Sequence, residues 1–168
     1  SYFETYRLPL VITRSSNNYG PNQHPEKLIP KVIIYTILNK KIPVYGTGEN
    51  VRDWLYVEDN CEAIETVLQK GEPGDIYNIG GKQELQNMFI VNAILKALGK
   101  GKEMIEFVKD RPGHDLRYSL DISKIENLGW KPKVTFQEGI EKTVSWYRDN
   151  RKWWEPVMKT EIDFHKKY

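Results

Sequence analysis

The apolar and polar positions of this chain follow two spacings, which predict short strands alternating with amphipathic helices. Apolar runs bounded by turn residues predict strands over residues 8–13, 42–45, 51–57, 75–79 and 105–108. Apolar residues three or four apart predict helices over residues 26–40, 58–70 and 87–98, and another from residue 135 onward. The predicted fold class is α/β with mixed strands, and the first run suits a buried strand of a parallel sheet.

Three local features refine this outline. In the second predicted helix, Cys61, Ile64 and Leu68 recur at helical spacing and are expected to form its buried stripe. Asn87 stands where an asparagine can cap the third helix, because its side chain accepts a hydrogen bond from the first turn. The segment from about residue 155 to 168 is highly charged and is expected to be a loose tail.

Composition narrows the possible classes of protein. A length of 168 residues fits one domain with a real core or one large piece of a bigger protein. A net charge of +2 is too small to indicate nucleic acid or an acidic membrane surface as a partner. The single cysteine excludes an intrachain disulfide and a zinc knuckle, and no set of residues has metal-ligand spacing. No apolar run could span a bilayer and no secretory signal opens the chain, so a cytoplasmic protein is expected.

The chain begins with Ser1 rather than methionine. Residues 1–7 have the pattern of the last turns of a helix and lack an N-cap, so the helix is expected to begin earlier. The chain is then either processed or part of a longer protein, and the second explanation is favoured.

Two arginines have the chemistry to bind a diphosphate. The guanidinium of arginine is planar and offers fixed bidentate donors, which suit phosphate better than a lysine ammonium. Arg52 follows a Gly-x-Gly turn, and Arg111 precedes Pro112 and Gly113, which favours a loop built to contact a ligand. The alternative is a pair of structural salt bridges, Arg52 with Asp53 and Arg111 with Asp110 or Asp115. Spacing alone leaves the two interpretations equal.

Four other residues are candidates with plainer alternatives. Asn17 and Asn18 could bind sugar hydroxyls or a carboxamide, although residue pattern alone favours turn residues that tolerate left-handed backbone. Tyr45 could stack on a pyrimidine or simply end a strand. His114 could donate to a phosphate or bridge Asp115. Lys27, at a predicted helix start, could hold an anion there or be merely solvated.

Seven short blocks, taken together, resemble the C-terminal half of the dTDP-glucose 4,6-dehydratases. The blocks are SNNYGP at 16–21, PEKLIP at 25–30, RDWLYVED at 52–59, YNIGG at 77–81, RPGHD at 111–115, LGWKP at 128–132 and WW at 153–154. Some of these pieces occur widely among extended short-chain dehydrogenases that act on nucleotide sugars. The PEKLIP and RPGHD blocks and the paired tryptophans are more particular to the 4,6-dehydratases.

The resemblance implies a fold and a reaction. The chain would be the substrate-binding portion of an extended short-chain dehydrogenase, with residues 1–20 and about 72–82 in the last strands of its Rossmann sheet and 1–168 forming a single region. The full enzymes bind NAD and dTDP-glucose, oxidise C4, eliminate water across C5 and C6, and return hydride to C6. Their product, dTDP-4-keto-6-deoxyglucose, is a precursor of rhamnose and other deoxysugars, and they are usually homodimers.

The resemblance also implies residue roles. Asn17 would contact the substrate and Asn18 the nicotinamide, while Arg52 and Arg111 would hold the diphosphate. The remaining substrate contacts would come from Lys27 and Leu28 beside the nucleotide, from Pro43, Val44 and Tyr45 around the thymine, and from Asn87 and His114, which complete the pocket.

The family's catalytic elements are not in this sequence. It contains no Gly-x-x-Gly-x-x-Gly turn for NAD and no tyrosine followed four residues later by lysine. No catalytic residue is therefore assigned, and the chain alone is expected to be inactive without an N-terminal Rossmann half. Two alternatives stay open: a UDP-sugar epimerase or decarboxylase of the same superfamily, and a non-catalytic nucleotide-sugar binding module.

Overall fold

The computed structural model describes the backbone of residues 1–165 and the side chains of residues 1–158. The chain divides into two compact units, each made of three separate stretches, where the sequence analysis expects a single region. Unit 1 comprises Ser1–Tyr19, Val51–Leu85 and Asp115–Phe136. Unit 2 comprises Gly20–Asn50, Gln86–His114 and the chain from Gln137 onward.

Parallel strands pass through unit 1. One pair consists of β1 (Ile12–Ser15) and β5 (Ile76–Ile79), in the register Ile12 to Ile76. A second sheet is centred on β4 (Val51–Tyr56), which pairs with β2 (Asn17–Tyr19), β6 (Glu84–Gln86) and β8 (Arg117–Tyr118). The predicted strand over residues 8–13 is wrong for its first four residues, because residues 8–11 precede β1 and the Leu10 N–H donates to the Leu8 carbonyl.

The helices of unit 1 are α1 (Tyr2–Tyr6), α3 (Val57–Lys70) and α5 (Ser123–Glu126). The face that α3 buries is formed by Asp59, Ala63 and Val67, which join a core with the side chains of Leu55, Tyr77, Ile79, Ile122, Ile125 and Trp130. The stripe predicted from the sequence is wrong: Cys61 is exposed, as are Ile64 and Leu68, at 43% and 77%. Apolar residues lie on two sides of this helix, and periodicity alone selected the other side.

Unit 2 is built around a short parallel pair, β3 (Ile42–Tyr45) and β7 (Ile105–Val108), both predicted correctly. Its helices are α2 (Leu28–Ile37), α4 (Asn87–Ala97), α6 (Phe136–Asp149) and α7 (Arg151–His165), with one 3-10 turn at Lys102–Met104. Helices α2 and α4 pack together, and each buries isoleucines at helical spacing, among them Ile29, Ile33, Ile90 and Ile94.

Two further predictions are corrected at helix ends. Asn87 is the first residue of α4 rather than its cap, and Gln86 in the cap position makes no side-chain capping bond. Helix α7 occupies residues 151–165, where a loose tail was expected from about residue 155; residues 166–168 lie outside the described part. The helix begins with an anchor, because Trp154 is fully buried and bonded to the chain before it. No helix in the described part of the chain combines the length and apolarity that a membrane crossing requires.

Candidate functional site

Arg52 lies in β4 as a buried cation that is held by the backbone. Its side chain donates from Nη1 to the Val51 carbonyl at 2.7 Å and from Nη2 to the Asp115 carbonyl at 2.9 Å. The residue is only 9% exposed, and within the described residues no carboxylate pairs with it. Because a buried charge is costly unless it is paired, an unpaired guanidinium suits the binding of an external anion. The salt bridge to Asp53, which the sequence left open, does not form.

Asp53 instead organises the backbone of a neighbouring loop. Its carboxylate is 1% exposed and accepts hydrogen bonds from the N–H groups of Gly81 and Gln83, both at 2.9 Å. The loop fits so closely that a Cβ on Gly81 would lie 1.9 Å from the Trp54 carbonyl oxygen. Sequence analysis missed this function of Asp53, because an adjacent Arg-Asp pair gives no sign that the two side chains have different partners.

Asn17 and Asn18 lie in strand β2, parallel to β4, with Asn17 opposite Trp54 and Asn18 opposite Leu55. Neither residue has the left-handed backbone of a turn, so the interpretation favoured by residue pattern alone is wrong. Asn17 and Arg52 therefore lie on adjacent strands of one sheet, two register positions apart. The Asn18 amide is partly buried and donates to the Ser16 carbonyl at 3.1 Å.

Ser16 is a candidate that the sequence analysis did not single out. Its side chain is 6% exposed, and its hydroxyl has no hydrogen-bond partner among the described residues. It lies directly before Asn17, at the point where β1 gives way to β2. A buried hydroxyl without a partner is uncommon in folded proteins, but its residue type alone gave no signal.

In unit 2 the tight turn at residues 46–48 follows Tyr45 and is hydrogen-bonded to the end of β7 and to the start of α4. Gly46 has φ +57° and its N–H donates to the Val108 carbonyl at 2.9 Å, which joins the end of β3 to β7. The Gly48 carbonyl accepts from the Met88 N–H at 2.9 Å, which joins the turn to the start of α4 beside Asn87. The Tyr45 side chain is 49% exposed at the edge of this turn. Its ring is thus accessible to a ligand.

The loop 110–114 reaches the same turn through Asp110. The Oδ1 atom of Asp110 accepts from the Arg111 N–H at 2.8 Å and lies 2.7 Å from His114 Nδ1. The hydrogen bond to His114 is the main reason that the pKa of Asp110 is lowered. A Cβ on Gly46 would be 3.0 Å from Asp110 Oδ2, so the carboxylate lies against the turn. The exposed Arg111 side chain has no carboxylate partner among the described residues.

The other predicted residues are placed less favourably for ligand contact. Lys27 precedes α2, and its Nζ pairs with Glu26 at 2.7 Å, a contact that lowers the pKa of Glu26. Leu28 and Pro43 are partly buried. Val44 is 4% exposed and packs beneath Gly48, so its side chain supports the turn rather than lining a surface.

Each unit therefore contains part of the predicted constellation. Unit 1 places Asn17, Asn18 and Arg52 on one sheet, and unit 2 gathers Tyr45, Asn87, Arg111 and His114 around one turn. Within the described residues no group of three His, Cys, Asp or Glu side chains could hold a metal ion.

Comparison with known proteins gives these features a context. The family model described as "GDP-mannose 4,6 dehydratase" matches residues 1–143. The chain belongs to the GDP-mannose 4,6-dehydratase family. Within this family it is similar to the dTDP-glucose 4,6-dehydratase of Escherichia coli, with 49% identity over 166 residues covering 92% of this chain and 46% of the relative. The resemblance stated from the sequence blocks is thereby confirmed.

Solved structures agree with the family assignment. The dTDP-glucose 4,6-dehydratase of Bacillus anthracis, in complex with NAD, is 51% identical with a TM-score of 0.88, over 93% of this chain and 50% of that one. A UDP-glucose 4-epimerase of Thermotoga maritima, with UDP-glucose, has a TM-score of 0.84 at 28% identity, over 89% of this chain and 49% of that one.

The chain spans about half the length of the curated relatives of this family that it matches, 46% and 47% for two of them. It corresponds to the C-terminal half of the extended short-chain dehydrogenases, both dehydratases and epimerases. The predicted α/β class is confirmed, with parallel strands in both units.

Proposed function

We propose that this chain is the nucleotide-sugar binding portion of a dTDP-glucose 4,6-dehydratase. The observation on which the proposal depends is Arg52, a buried guanidinium that is fixed by two backbone carbonyls and lacks a carboxylate partner among the described residues. Such a group provides a rigid, desolvated positive charge, which is what a sugar-linked diphosphate requires. An identity near 50% to dehydratases, against 28% to an epimerase, supports the choice of reaction.

The residues named from the sequence would each bind a part of the substrate that matches their chemistry. Arg52 and Arg111 would bind the diphosphate, with His114 held in place by Asp110 as a further donor. The exposed ring of Tyr45 would stack on the thymine. Asn17 would hydrogen-bond to the sugar, and Lys27, Leu28, Pro43 and Asn87 would surround the nucleotide. Val44 would act through the packing of the Gly48 turn.

Catalysis would also require NAD, which accepts a hydride from the sugar and returns it when bound. Among the residues of this chain, Asn18 suits that cofactor, because its partly buried amide can hydrogen-bond to a carboxamide. The glycine-rich turn that would bind the rest of NAD is not in residues 1–168. We therefore propose that an N-terminal Rossmann half supplies the main NAD site, and that the full enzyme is a homodimer.

The chemistry of this chain would then consist of binding and orientation. Diphosphate contacts from Arg52 and Arg111 fix the sugar relative to the reacting groups, which converts binding energy into correct alignment. Asn17 would limit rotation of the hexose within that alignment. Proton and hydride transfer would take place on groups that this sequence lacks.

Calorimetric titration of the chain with dTDP and then with UDP, in the absence of NAD, tests the proposal. We expect dTDP to bind at least several-fold more tightly than UDP, because the thymine methyl adds apolar contact. A preference for UDP would instead support an epimerase or decarboxylase. Binding of neither nucleotide by a folded chain would contradict a preformed site.

The chain alone is expected to show no turnover of dTDP-glucose. Incubated with dTDP-glucose and NAD, the chain alone should form no 4-keto product, because it contains neither the Tyr-x-x-x-Lys pair nor the NAD turn. Product analysis by mass spectrometry would measure this directly. Formation of the keto sugar by the purified chain would show that other groups perform the chemistry. Nucleotide binding without turnover would agree with a binding portion.

A further inference from the structure

A side chain of α6 forms a hydrogen bond to the backbone of the segment that leads into α2. Residues 22–27 form an irregular stretch of unit 2, and Asn22 has a left-handed φ of 62°. The Tyr147 hydroxyl donates a hydrogen bond to the Gln23 carbonyl, across 124 positions in the sequence. The segment then turns, with the Lys27 N–H donating to the His24 carbonyl at 3.1 Å, and α2 begins at Leu28.

Tyr147 is itself buried, bonded through its backbone and packed against a neighbouring ring. The residue is fully buried, and burial raises the pKa of its phenol, so the hydroxyl stays protonated and remains a donor throughout the working pH range. Its backbone carbonyl accepts from Trp154 Nε1 at 2.7 Å, and Trp154 is also fully buried. The Trp146 ring meets the Tyr147 ring edge to face, with centroids 4.9 Å apart. The Tyr147 side chain is thus buried and packed at the junction of α6 and α7.

We propose that Tyr147 is a positioning residue for nucleotide binding, and that Trp154 contributes through it. The inference rests on the proposed function, which places Lys27 and Leu28 beside the nucleotide. The hydrogen bond to Gln23 fixes the backbone four residues before Lys27. A hydrogen bond that holds this backbone in place before the nucleotide arrives would lower the entropic cost of binding.

Comparison of Tyr147→Phe with Tyr77→Phe tests the inference. Tyr77 is a matched control: it is 2% exposed, lies in unit 1, and its hydroxyl accepts a hydrogen bond from the Glu72 N–H at 2.9 Å. Each substitution removes one part-buried hydrogen bond to the backbone and keeps the ring, so the two should lower the unfolding midpoint by similar amounts. We expect only Tyr147→Phe to weaken dTDP binding, by roughly five- to tenfold.

Hydrogen exchange of the backbone amides at positions 22–27 gives a readout that does not depend on ligand. These amides should exchange faster in Tyr147→Phe than in the parent or in Tyr77→Phe, at a temperature well below unfolding. Unchanged exchange would overturn the inference. So would faster exchange with unchanged dTDP affinity, or an equal loss of affinity in both variants. If the parent fails to bind dTDP, the proposed function fails, while the exchange data still decide whether Tyr147 orders the segment.

Discussion

Replacing Arg52 with alanine is expected to weaken dTDP binding by about 30-fold or more, which corresponds to about 2 kcal/mol. The guanidinium is buried and already oriented by the carbonyls of Val51 and Asp115, at 2.7 and 2.9 Å. Its remaining donors would form charge-assisted hydrogen bonds with the diphosphate at little further cost in side-chain entropy. Calorimetric titration of parent and variant with dTDP measures the difference.

Two further variants test whether the loss of affinity comes from the contact between Arg52 and the diphosphate. Arg52→Lys keeps the charge but lacks the planar fork, so an intermediate affinity is expected. Arg117→Ala removes an equal charge from the adjacent strand β8, but Arg117 already binds Glu84 at 2.7 and 2.8 Å, so dTDP affinity should not change. Equal losses from Arg52→Ala and Arg117→Ala would indicate a general effect of net charge and would contradict a specific diphosphate contact.

Replacing Gly81 with alanine is expected to destabilise unit 1 by about 3–5 kcal/mol. The added Cβ would lie 1.9 Å from the Trp54 carbonyl oxygen and 2.7 Å from its carbon, so backbone would have to move. That movement would also strain the bond from the Gly81 N–H to the buried Asp53 carboxylate. Urea unfolding followed by tryptophan fluorescence gives the change in the free energy of unfolding.

Gly99→Ala measures the loss of stability caused by left-handed backbone alone, so it can be compared with the steric loss expected for Gly81→Ala. Gly99 has φ +64°, and a Cβ added there would have no heavy atom within 4 Å, so alanine would cost only the left-handed backbone, about 1–2 kcal/mol. Gly81 has no left-handed φ, and its cost is the contact itself. Equal destabilisation by the two substitutions would show that the Gly81 loop adjusts freely and that Asp53 does not fix it.

The sequence predicted secondary structure best where local patterns decide it. Strands β3 and β7 were placed correctly, because short β-branched and aromatic runs bounded by turn residues indicate strands locally. Strand β2 was missed, since the polar residues Asn17 and Asn18 form a strand only through parallel pairing with β4. The buried face of α3 was missed for a related reason. Its Asp59 carboxylate is satisfied by the N–H groups of Lys133 and Val134, which are distant in sequence.

The candidate site could likewise be predicted only in part. Arg52 and Arg111 could be selected from residue type and neighbouring glycines, but the sequence could not distinguish salt bridges from cations available to a ligand. That choice depends on Asp53 bonding to the Gly81 loop and on Asp110 bonding to His114, two contacts that no spacing rule predicts. Periodicity likewise could not show that the predicted tail begins as a helix anchored by Trp154.

Cys61 is a natural site for attaching a spectroscopic label to this protein. It is the only cysteine of the sequence, and it is exposed on the outer side of α3, away from the face that α3 buries. A thiol-reactive fluorophore or nitroxide can therefore be attached at one defined point of unit 1 without any substitution. With a second cysteine introduced on an exposed position of unit 2, such as Lys40, the pair of labels would report the distance between the units and its response to nucleotide.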